Sequence, residues 1–407
     1  MPDQKDTQRG FGSLAIHAGH ETEGHDAHLT PIYASSTYVF HSAEQGMHRF
    51  DKSEKGYIYS RWGNPTMAEA ERKIATLEAC GLHKDGAPLA LQAILHASGM
   101  AAISSLLLAT LKQGDGILSH YSLYGGTQEL MDKVLPPLGI EATIEDLRNP
   151  ELAIRALKSD PKIRMMYLET PANPTIQCVD IELLTRIARE HQLLVVVDNT
   201  FATPYLQRPF KYGVDYVVHS TTKFLNGHGT AIGGVIVGRD LEFMNGRMEK
   251  VHRLLGGNSN SFDAFLLVQG MKTLEVRMER HCSNAEKVAA FLDGHPSVAR
   301  VNYLGLKSHP DYAVAKKQMN HPGAMLSFEL KGGLEAGKRF IDRLQMCVRA
   351  VSLGSCDSLL SHPASTTHFG VPKEKRESYG ITDGLIRMSV GIENIEDILS
   401  DLDQALQ

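Results

Sequence analysis

The sequence lacks long apolar runs, an excess of charge of one sign, and any repeated or low-complexity segment. No stretch reaches the roughly 20 apolar residues that a membrane-spanning helix needs, and the first ten residues are polar, unlike a secretory leader. The net charge is −5 over 407 residues. This argues against binding to nucleic acid or to an acidic membrane, since both need a basic surface. We therefore expect a cytoplasmic protein without nucleic-acid or membrane partners.

Cysteine is also scarce, with five widely spaced residues and no Cys-x-x-Cys pair. This usage is typical of a reduced intracellular protein and differs from a disulfide framework or a zinc site. Four histidines lie close together near the N-terminus, but their spacing fits no common ligand pattern. We therefore predict a solvated loop and no metal site there. These residues are His17, His20, His25 and His28.

The composition that remains is that of an ordinary globular protein, with 42% hydrophobic and 22% charged residues. Strand-like and helix-like segments alternate from about residue 66 to 240, a pattern that predicts a mostly parallel sheet with crossover helices. Shorter strands and helices follow and predict a smaller α+β domain. We expect an irregular arm over 1–65, a large domain over 66–258 and a C-terminal domain over 259–407.

Two predicted strands of the large domain end in polar residues. The apolar run 193–197 leads to Asp198, and the run 216–218 leads to Ser220, Thr222 and Lys223. Ligands bind at the carboxyl ends of strands in open α/β sheets. A lysine that loses hydration there has a lowered pKa, so its free amine can condense with an aldehyde. The pattern predicts an acid and a reactive lysine on neighbouring strand ends.

Two glycine-containing segments supply the other parts of such a site. Ser98-Gly99-Met100 precedes a strong helix pattern, and a helix N-terminus favours a bound phosphate. Tyr124 precedes two glycines and can stack on a flat ring. A Schiff-base lysine, an acid for a pyridine nitrogen, a phosphate cup and a ring platform are together what pyridoxal 5′-phosphate (PLP) requires.

Two arginines occur where an anion is an expected partner. Arg61 lies in the loop-like segment 56–66 with two tyrosines and the only tryptophan. Its planar guanidinium group suits a phosphate. A surface loop held by aromatic packing would explain the same residues equally well. Period-2 alternation over 385–390 puts Arg387 on one strand face. Its partner is either a protein carboxylate or a substrate carboxylate, and the pattern leaves both open.

Two short motif matches indicate other classes of protein, a penicillin-binding protein and a dinucleotide-binding protein, and we exclude both. Residues 220–223 fit the S-x-x-K motif of penicillin-binding proteins, which also carry S-D-N and K-T-G; this chain has neither. Residues 227–229 resemble the start of a dinucleotide fingerprint, but the third glycine is misplaced and no helix pattern follows.

Ten stretches spread over nearly the whole chain match one enzyme family. They are YSRWGNPT (59–66), ASGMAA (97–102), LYGGT (123–127), ETPANPT (169–175), VVDNTFATPYLQRP (196–209), HSTTKFLNGHG (219–229), MERHC (278–282), SLG (352–354), HPASTTH (362–368) and LIRMSVGIE (385–393). With these motifs the chain resembles the Cys/Met-metabolism family of PLP-dependent enzymes. The resemblance implies the type I, aspartate-aminotransferase-like α/β fold, with a large mostly parallel-sheet domain that binds PLP and a smaller C-terminal α+β domain.

The resemblance also implies a role for each matching residue. The substrate would be held by three residues, with Arg387 on its α-carboxylate. Two residues of the N-terminal arm would bind the phosphate of a neighbouring subunit, which implies a dimer at least and a homotetramer as the usual state. The implied cofactor residues are Lys223 (Schiff base and proton transfer), Asp198 (pyridine nitrogen), Tyr124 (ring stacking and proton transfer), Gly99, Met100, Ser220 and Thr222 (phosphate), and Tyr59 and Arg61 (the neighbour's phosphate). The implied substrate residues are Asn173, Ser352 and Arg387.

The implied reaction is γ-elimination from a sulfur amino acid (methionine, homocysteine or cystathionine) to 2-oxobutyrate and ammonia. The alternative is γ-replacement on an activated homoserine ester, as in O-acetylhomoserine sulfhydrylase or cystathionine γ-synthase. Individual positions favour different members. Val351 is as in methionine γ-lyases, Gly126 replaces the cysteine that these generally carry, and Thr230 with HPASTTH resembles the sulfhydrylases. The segment 254–262 is shorter than in several relatives.

Overall fold

The computed structural model describes residues 9–21 and 26–407, so His25 of the predicted histidine-rich loop lies outside the described residues. The α-helices in these ranges are α1 Phe11–His17, α2 Ala43–Phe50, α3 Pro65–Ala79, α4 Gly99–Thr110, α5 Gly125–Glu129, α6 Pro150–Ser159, α7 Ile181–Glu190, α8 Thr203–Leu206, α9 Leu241–Phe243, α10 Glu249–Leu255, α11 Ser261–Met271, α12 Leu274–Asp293, α13 Tyr312–Gln318, α14 Gly333–Arg343, α15 Lys373–Ser378 and α16 Ile395–Leu406. The strands are β1 His83–Lys84, β2 Ala87–Pro88, β3 Gln92–His96, β4 Gly116–His120, β5 Glu141–Glu145, β6 Ile163–Glu169, β7 Leu194–Asp198, β8 Tyr216–His219, β9 Gly234–Gly238, β10 Val298–Asn302, β11 Met325–Leu330, β12 Val348–Arg349, β13 Leu359–Ser361 and β14 Leu385–Ser389.

The larger sheet has seven strands in the order β3-β9-β8-β7-β6-β4-β5. The pairs β5–β4, β4–β6 and β6–β7 are parallel, whereas β3 pairs with β9 in the antiparallel sense. The strands β4, β7 and β8 are short, apolar and almost wholly buried, as expected for a sheet covered on both faces. The predicted α/β class is therefore confirmed. The strand β9, which lies between β3 and β8, was not predicted.

The smaller sheet has five strands in the order β10-β11-β14-β13-β12. Its neighbours are antiparallel except for β12 and β13. One apolar core joins this sheet to α12, α14 and α16, with Phe328, Phe340 and Leu402 among its buried members. The two consecutive helices α11 and α12 precede this sheet in the chain.

The chain divides into two compact units. One comprises the residues up to Thr110, Val218–Thr222 and Thr230–Thr273; the other comprises Leu111–Val217, Lys223–Gly229 and Leu274–Gln407. The limits at 65/66 and 258/259 stay predictions. In the described ranges, no helix combines the length and the apolar character needed to cross a bilayer.

The prediction that 1–65 is irregular was wrong, because the described part of this segment contains α1 and α2. The sequence carried a signal for α2. Ser42 Oγ accepts a hydrogen bond from the Gln45 backbone N–H (3.0 Å), and Gln45 Oε1 accepts one from the His41 N–H (2.8 Å). A serine followed three residues later by glutamine marks a helix start.

Buried amide side chains hold the carboxyl ends of β6 and β7. Gln207 Nε2 donates to the Thr170 carbonyl (2.9 Å) and to Asn199 Oδ1 (3.0 Å). Gln207 Oε1 accepts a hydrogen bond from Gln318 Nε2 (3.1 Å). Thr170 and Asn199 directly follow the last residues of the two strands, so this network fixes where both strands end.

We expect Gln207→Leu to lower the free energy of unfolding by about 2–4 kcal/mol, because a leucine of similar size leaves several buried polar groups unpaired. Urea denaturation measures the change. Gln113→Leu, at an exposed glutamine of the same unit, is the control and should change stability by less than about 0.5 kcal/mol. Equal stabilities of the two variants would show that the network does not hold the strand ends.

Candidate active site

Lys223 lies four residues beyond β8 and is half-buried. Its Nζ donates a hydrogen bond to Ser352 Oγ (2.8 Å). Burial, assisted by the positive charge of Arg387, lowers the pKa of Lys223 to about 8. A substantial fraction of the side chain is therefore a neutral amine near physiological pH, which is the form that reacts with an aldehyde.

The backbone around Ser352 has an unusual shape that presents its hydroxyl to Lys223. Ser352 has φ +89°, a conformation that costs a non-glycine residue energy and is typical of functional sites. Gly354 has φ +75°, and a Cβ there would lie 2.5 Å from the Phe224 backbone nitrogen. Only glycine therefore lets this turn pack against the residue that follows Lys223.

Arg387 is buried in the middle of β14, with 5% of its surface exposed. Its Nη1 donates to Asn173 Oδ1 (3.2 Å) and its Nη2 to the Ser352 carbonyl (2.6 Å). Burial lowers its pKa to about 10. Within the described residues, its Nε has no hydrogen-bond acceptor. A buried guanidinium that keeps an unused N–H fits a substrate carboxylate.

Asp198 has a second buried acid beside it. The register of the parallel strands β6 and β7 pairs Glu169 with Asp198. Asp198 Oδ1 accepts the Thr200 backbone N–H (3.0 Å), and Tyr167 donates its hydroxyl to Oδ2 (3.4 Å). Burial and the negative charge of Asp198 raise the pKa of Glu169. Two neighbouring buried acids favour a positively charged group at this place, and the protonated ring nitrogen of PLP is such a group.

Glu169 is a site residue that the sequence prediction missed. Its Oε2 accepts the backbone N–H of Tyr124 (2.7 Å), and its Oε1 accepts the backbone N–H of Asn173 (3.0 Å). Tyr124 immediately precedes α5, and its side chain is 48% exposed, so a ring face is open for stacking. An acid at the end of a buried strand, directly before Thr-Pro, was the available signal.

Of the predicted phosphate residues, Gly99 and Met100 open α4 and Ser220 lies beside Gly99. Ser98 Oγ accepts the Ala101 backbone N–H (3.0 Å), while the N–H groups of Gly99 and Met100 belong to the first turn, where a helix supplies no acceptor. A Cβ on Gly99 would lie 2.9 Å from the Ser220 Cβ, so glycine lets Ser220 approach the helix start. The Thr222 hydroxyl is engaged with the backbone N–H and carbonyl of Gly233 (3.0 and 3.2 Å).

Tyr59 and Arg61 lie together in the segment before α3. The Arg61 guanidinium is 5.5 Å from the centre of the Tyr59 ring, and Arg61 Nη1 donates to the Arg253 carbonyl (2.5 Å). Tyr59 is 40% exposed. Their binding of a neighbouring subunit's phosphate stays a prediction.

These residues fit PLP in three independent respects: a lysine with a lowered pKa, a pair of buried acids for a ring nitrogen, and a helix N-terminus beside a serine. A Schiff-base lysine with an acidic partner for the pyridine nitrogen is the typical protein contribution to a PLP site. The fold and the site therefore define the class of PLP-dependent enzymes.

Comparison with known proteins gives the family. Residues 12–407 match the family described as Cys/Met metabolism PLP-dependent enzyme. The chain is 49% identical over 399 residues to L-methionine gamma-lyase from Fusobacterium nucleatum subspecies nucleatum (98% of both chains), and 37% identical over 436 residues to O-acetyl-L-homoserine sulfhydrylase from Leptospira meyeri (97% of this chain, 96% of that one). A crystal structure of cystathionine gamma synthase from Xanthomonas oryzae pv. oryzae, with aminoacrylate and cysteine, superposes with a TM-score of 0.90 at 36% identity over 98% of both chains.

The chain belongs to the Cys/Met-metabolism family of PLP-dependent enzymes. The predicted family, type I fold and cofactor are thereby confirmed. The roles of the individual residues stay predictions.

We expect an amine-reactive reagent to modify Lys223 of the cofactor-free protein with a pH midpoint of about 8, since only the neutral amine reacts. In Arg387→Gln the midpoint should move to higher pH, because the neighbouring positive charge that disfavours the ammonium form is gone. Peptide mapping by mass spectrometry gives the rates. Arg164→Gln, at an exposed position of β6, should leave the midpoint unchanged. A wild-type midpoint at the value of an exposed lysine would contradict this description of the site.

Proposed function

We propose that this enzyme is a carbon–sulfur γ-lyase that acts on a sulfur amino acid, with L-methionine as the first candidate. Water and the substrate would give 2-oxobutyrate, ammonia and a thiol. The observation that carries the proposal is the 49% identity to an L-methionine gamma-lyase over 98% of both chains. Val351, which precedes Ser352 and is exposed, supports the same choice, since the resemblance assigns valine here to methionine γ-lyases.

The side chains would divide the work in the following way. Arg387 would bind the substrate carboxylate through its unused Nε–H, with Asn173 and Ser352 holding the guanidinium. Lys223 would bond PLP and, as a neutral amine, take the α-proton and return protons later. When bound, PLP supplies the electron-withdrawing ring that makes these proton transfers possible. Asp198 would keep the ring nitrogen protonated.

The remaining residues would fix the cofactor in place. The ring face would lie against Tyr124, whose hydroxyl would also assist proton transfer. The phosphate would bind at Gly99 and Met100, whose N–H groups open α4, and at Ser220 and Thr222. Because the Thr222 hydroxyl is shared with Gly233, its contribution would come from its backbone N–H.

A second candidate is γ-replacement on O-acetyl- or O-succinylhomoserine by sulfide or cysteine. It is favoured by Thr230 and the HPASTTH sequence (362–368). Gly126, two residues after Tyr124 in the first turn of α5, counts against strict methionine specificity. The 37% identity to a sulfhydrylase and the structural match to a γ-synthase support it as well. Both reactions use the same lysine, so the substrate and the acceptor thiol decide between them.

We further propose a homo-oligomer, a tetramer built from two dimers, that works in the cytoplasm. Tyr59 and Arg61 of the arm over 1–65 would complete the phosphate site of the neighbouring subunit, while 66–258 would bind PLP and 259–407 would form the C-terminal domain. The described cysteines form no disulfide, which fits a reducing compartment.

The reaction is tested by incubating the PLP-loaded enzyme with L-methionine, L-homocysteine and L-cystathionine and measuring 2-oxobutyrate. We expect keto acid from at least one of them, and a loss of at least about 10³-fold in Lys223→Ala, because no other group would make the proton transfers. Activated homoserine esters with and without sulfide or cysteine form the second arm. Product only from ester plus thiol would overturn the lyase proposal and support γ-replacement.

The shared site is tested by subunit complementation between Arg61→Ala and Lys223→Ala, each of which should be inactive alone. When the two are co-expressed, about half of the dimers pair one of each, and each such dimer has one complete site, so about a quarter of the wild-type activity should return. If Arg61 serves the phosphate of its own chain, no mixed dimer has a complete site and the mixture stays inactive. Purification through two different tags confirms that mixed dimers are present.

A further inference from the structure

We infer that Glu169 is a positioning residue, which holds Tyr124 and Asn173 in place through its two carboxylate oxygens. Each oxygen accepts one backbone N–H, at 2.7 and 3.0 Å. The inference rests on the proposed roles of Tyr124 at the cofactor ring and of Asn173 at the substrate.

The geometry requires a carboxylate at this position. The two N–H groups belong to separate segments, one immediately before α5 and the other four residues beyond the end of β6. An ionised carboxylate offers acceptors on both oxygens, whereas a glutamine of the same size offers one acceptor and one donor. In its charged form Glu169 can therefore hold both segments with full-strength bonds. A positive group beside Asp198 would favour that form against the burial and the neighbouring charge that raise the pKa of Glu169.

Stability alone gives no reason for an acid here. Glu169 is 4% exposed, and the strand register sets it beside the buried Asp198. Burying a second negative charge next to the first is unfavourable unless a specific role or a positive group compensates. Strongly perturbed acids of this kind are concentrated at functional sites.

The effect of Glu169 extends to the substrate side of the site through Asn173. The Asn173 side chain accepts a hydrogen bond from Arg387 (3.2 Å), Arg387 donates to the Ser352 carbonyl (2.6 Å), and Ser352 Oγ accepts one from Lys223 (2.8 Å). Moving the Asn173 backbone would thus release one of the two hydrogen bonds that orient the guanidinium. Moving Tyr124 would disturb the platform for the cofactor ring.

The test compares Glu169→Gln with Glu71→Gln. Glu71 is a matched control, since its Oε1 also accepts a backbone N–H, that of Leu95 (2.9 Å), and burial raises its pKa to about 7. In Glu169→Gln we expect the Kd for PLP, measured by equilibrium dialysis of the cofactor-free protein, and the KM of the amino-acid substrate each to rise about tenfold, with kcat falling less than about threefold. Glu71→Gln should change none of these quantities.

Wild-type Kd and KM in Glu169→Gln, or equal changes in both variants, would overturn the inference.

A second measurement does not depend on the variant folding. It is hydrogen exchange of the wild-type holoenzyme, resolved by fragmentation mass spectrometry. The N–H groups of Tyr124 and Asn173 should exchange at least about tenfold more slowly than exposed neighbours; fast exchange of both would equally overturn it. The Kd for PLP and the exchange rates can be measured even if none of the proposed substrates reacts. A failure of the proposed function is therefore distinguished from a failure of this inference.

Discussion

The register between β6 and β7 is the constraint on which the site depends. It places Glu169 and Asp198 side by side, both buried, at the carboxyl ends of two parallel strands. Two acids so placed repel one another, and a cation between or beside them removes the penalty. The proposed role of Asp198 fits this arrangement, because a positively charged ring nitrogen would be favoured here. The network around Gln207 holds the two strand ends in place.

Burial also sets the chemistry of the lysine. Lys223 is kept partly neutral because it is desolvated near a second cation, Arg387. The strained turn at Ser352 and the close approach of Gly354 to Phe224 hold the hydroxyl that Lys223 contacts. Desolvation thus produces the reactive amine, while the turn orients it. Both effects arise from packing within one unit of the chain, and neither depends on the identity of the substrate's leaving group.

The sequence was sufficient to predict the strand ends and the residues on them, because short apolar runs identify buried strands and Asp198 and Lys223 follow directly. It was insufficient for Glu169, whose importance comes from its pairing with a neighbouring strand and from two backbone N–H groups distant in sequence. The helices α1 and α2 were missed because they are short, with seven and eight residues, and only the Ser42–Gln45 pair marked a helix start. Substrate choice depends on single positions such as Gly126, where the chain combines features of several relatives.

Lys223, among all the lysines of the chain, is expected to be the residue that bonds PLP. Borohydride reduction of the PLP-loaded enzyme makes that bond permanent, and peptide mapping by mass spectrometry locates it. We expect the phosphopyridoxyl group on the peptide containing Lys223, in one equivalent per chain. A label on another lysine, or no label at all, would contradict this role of Lys223.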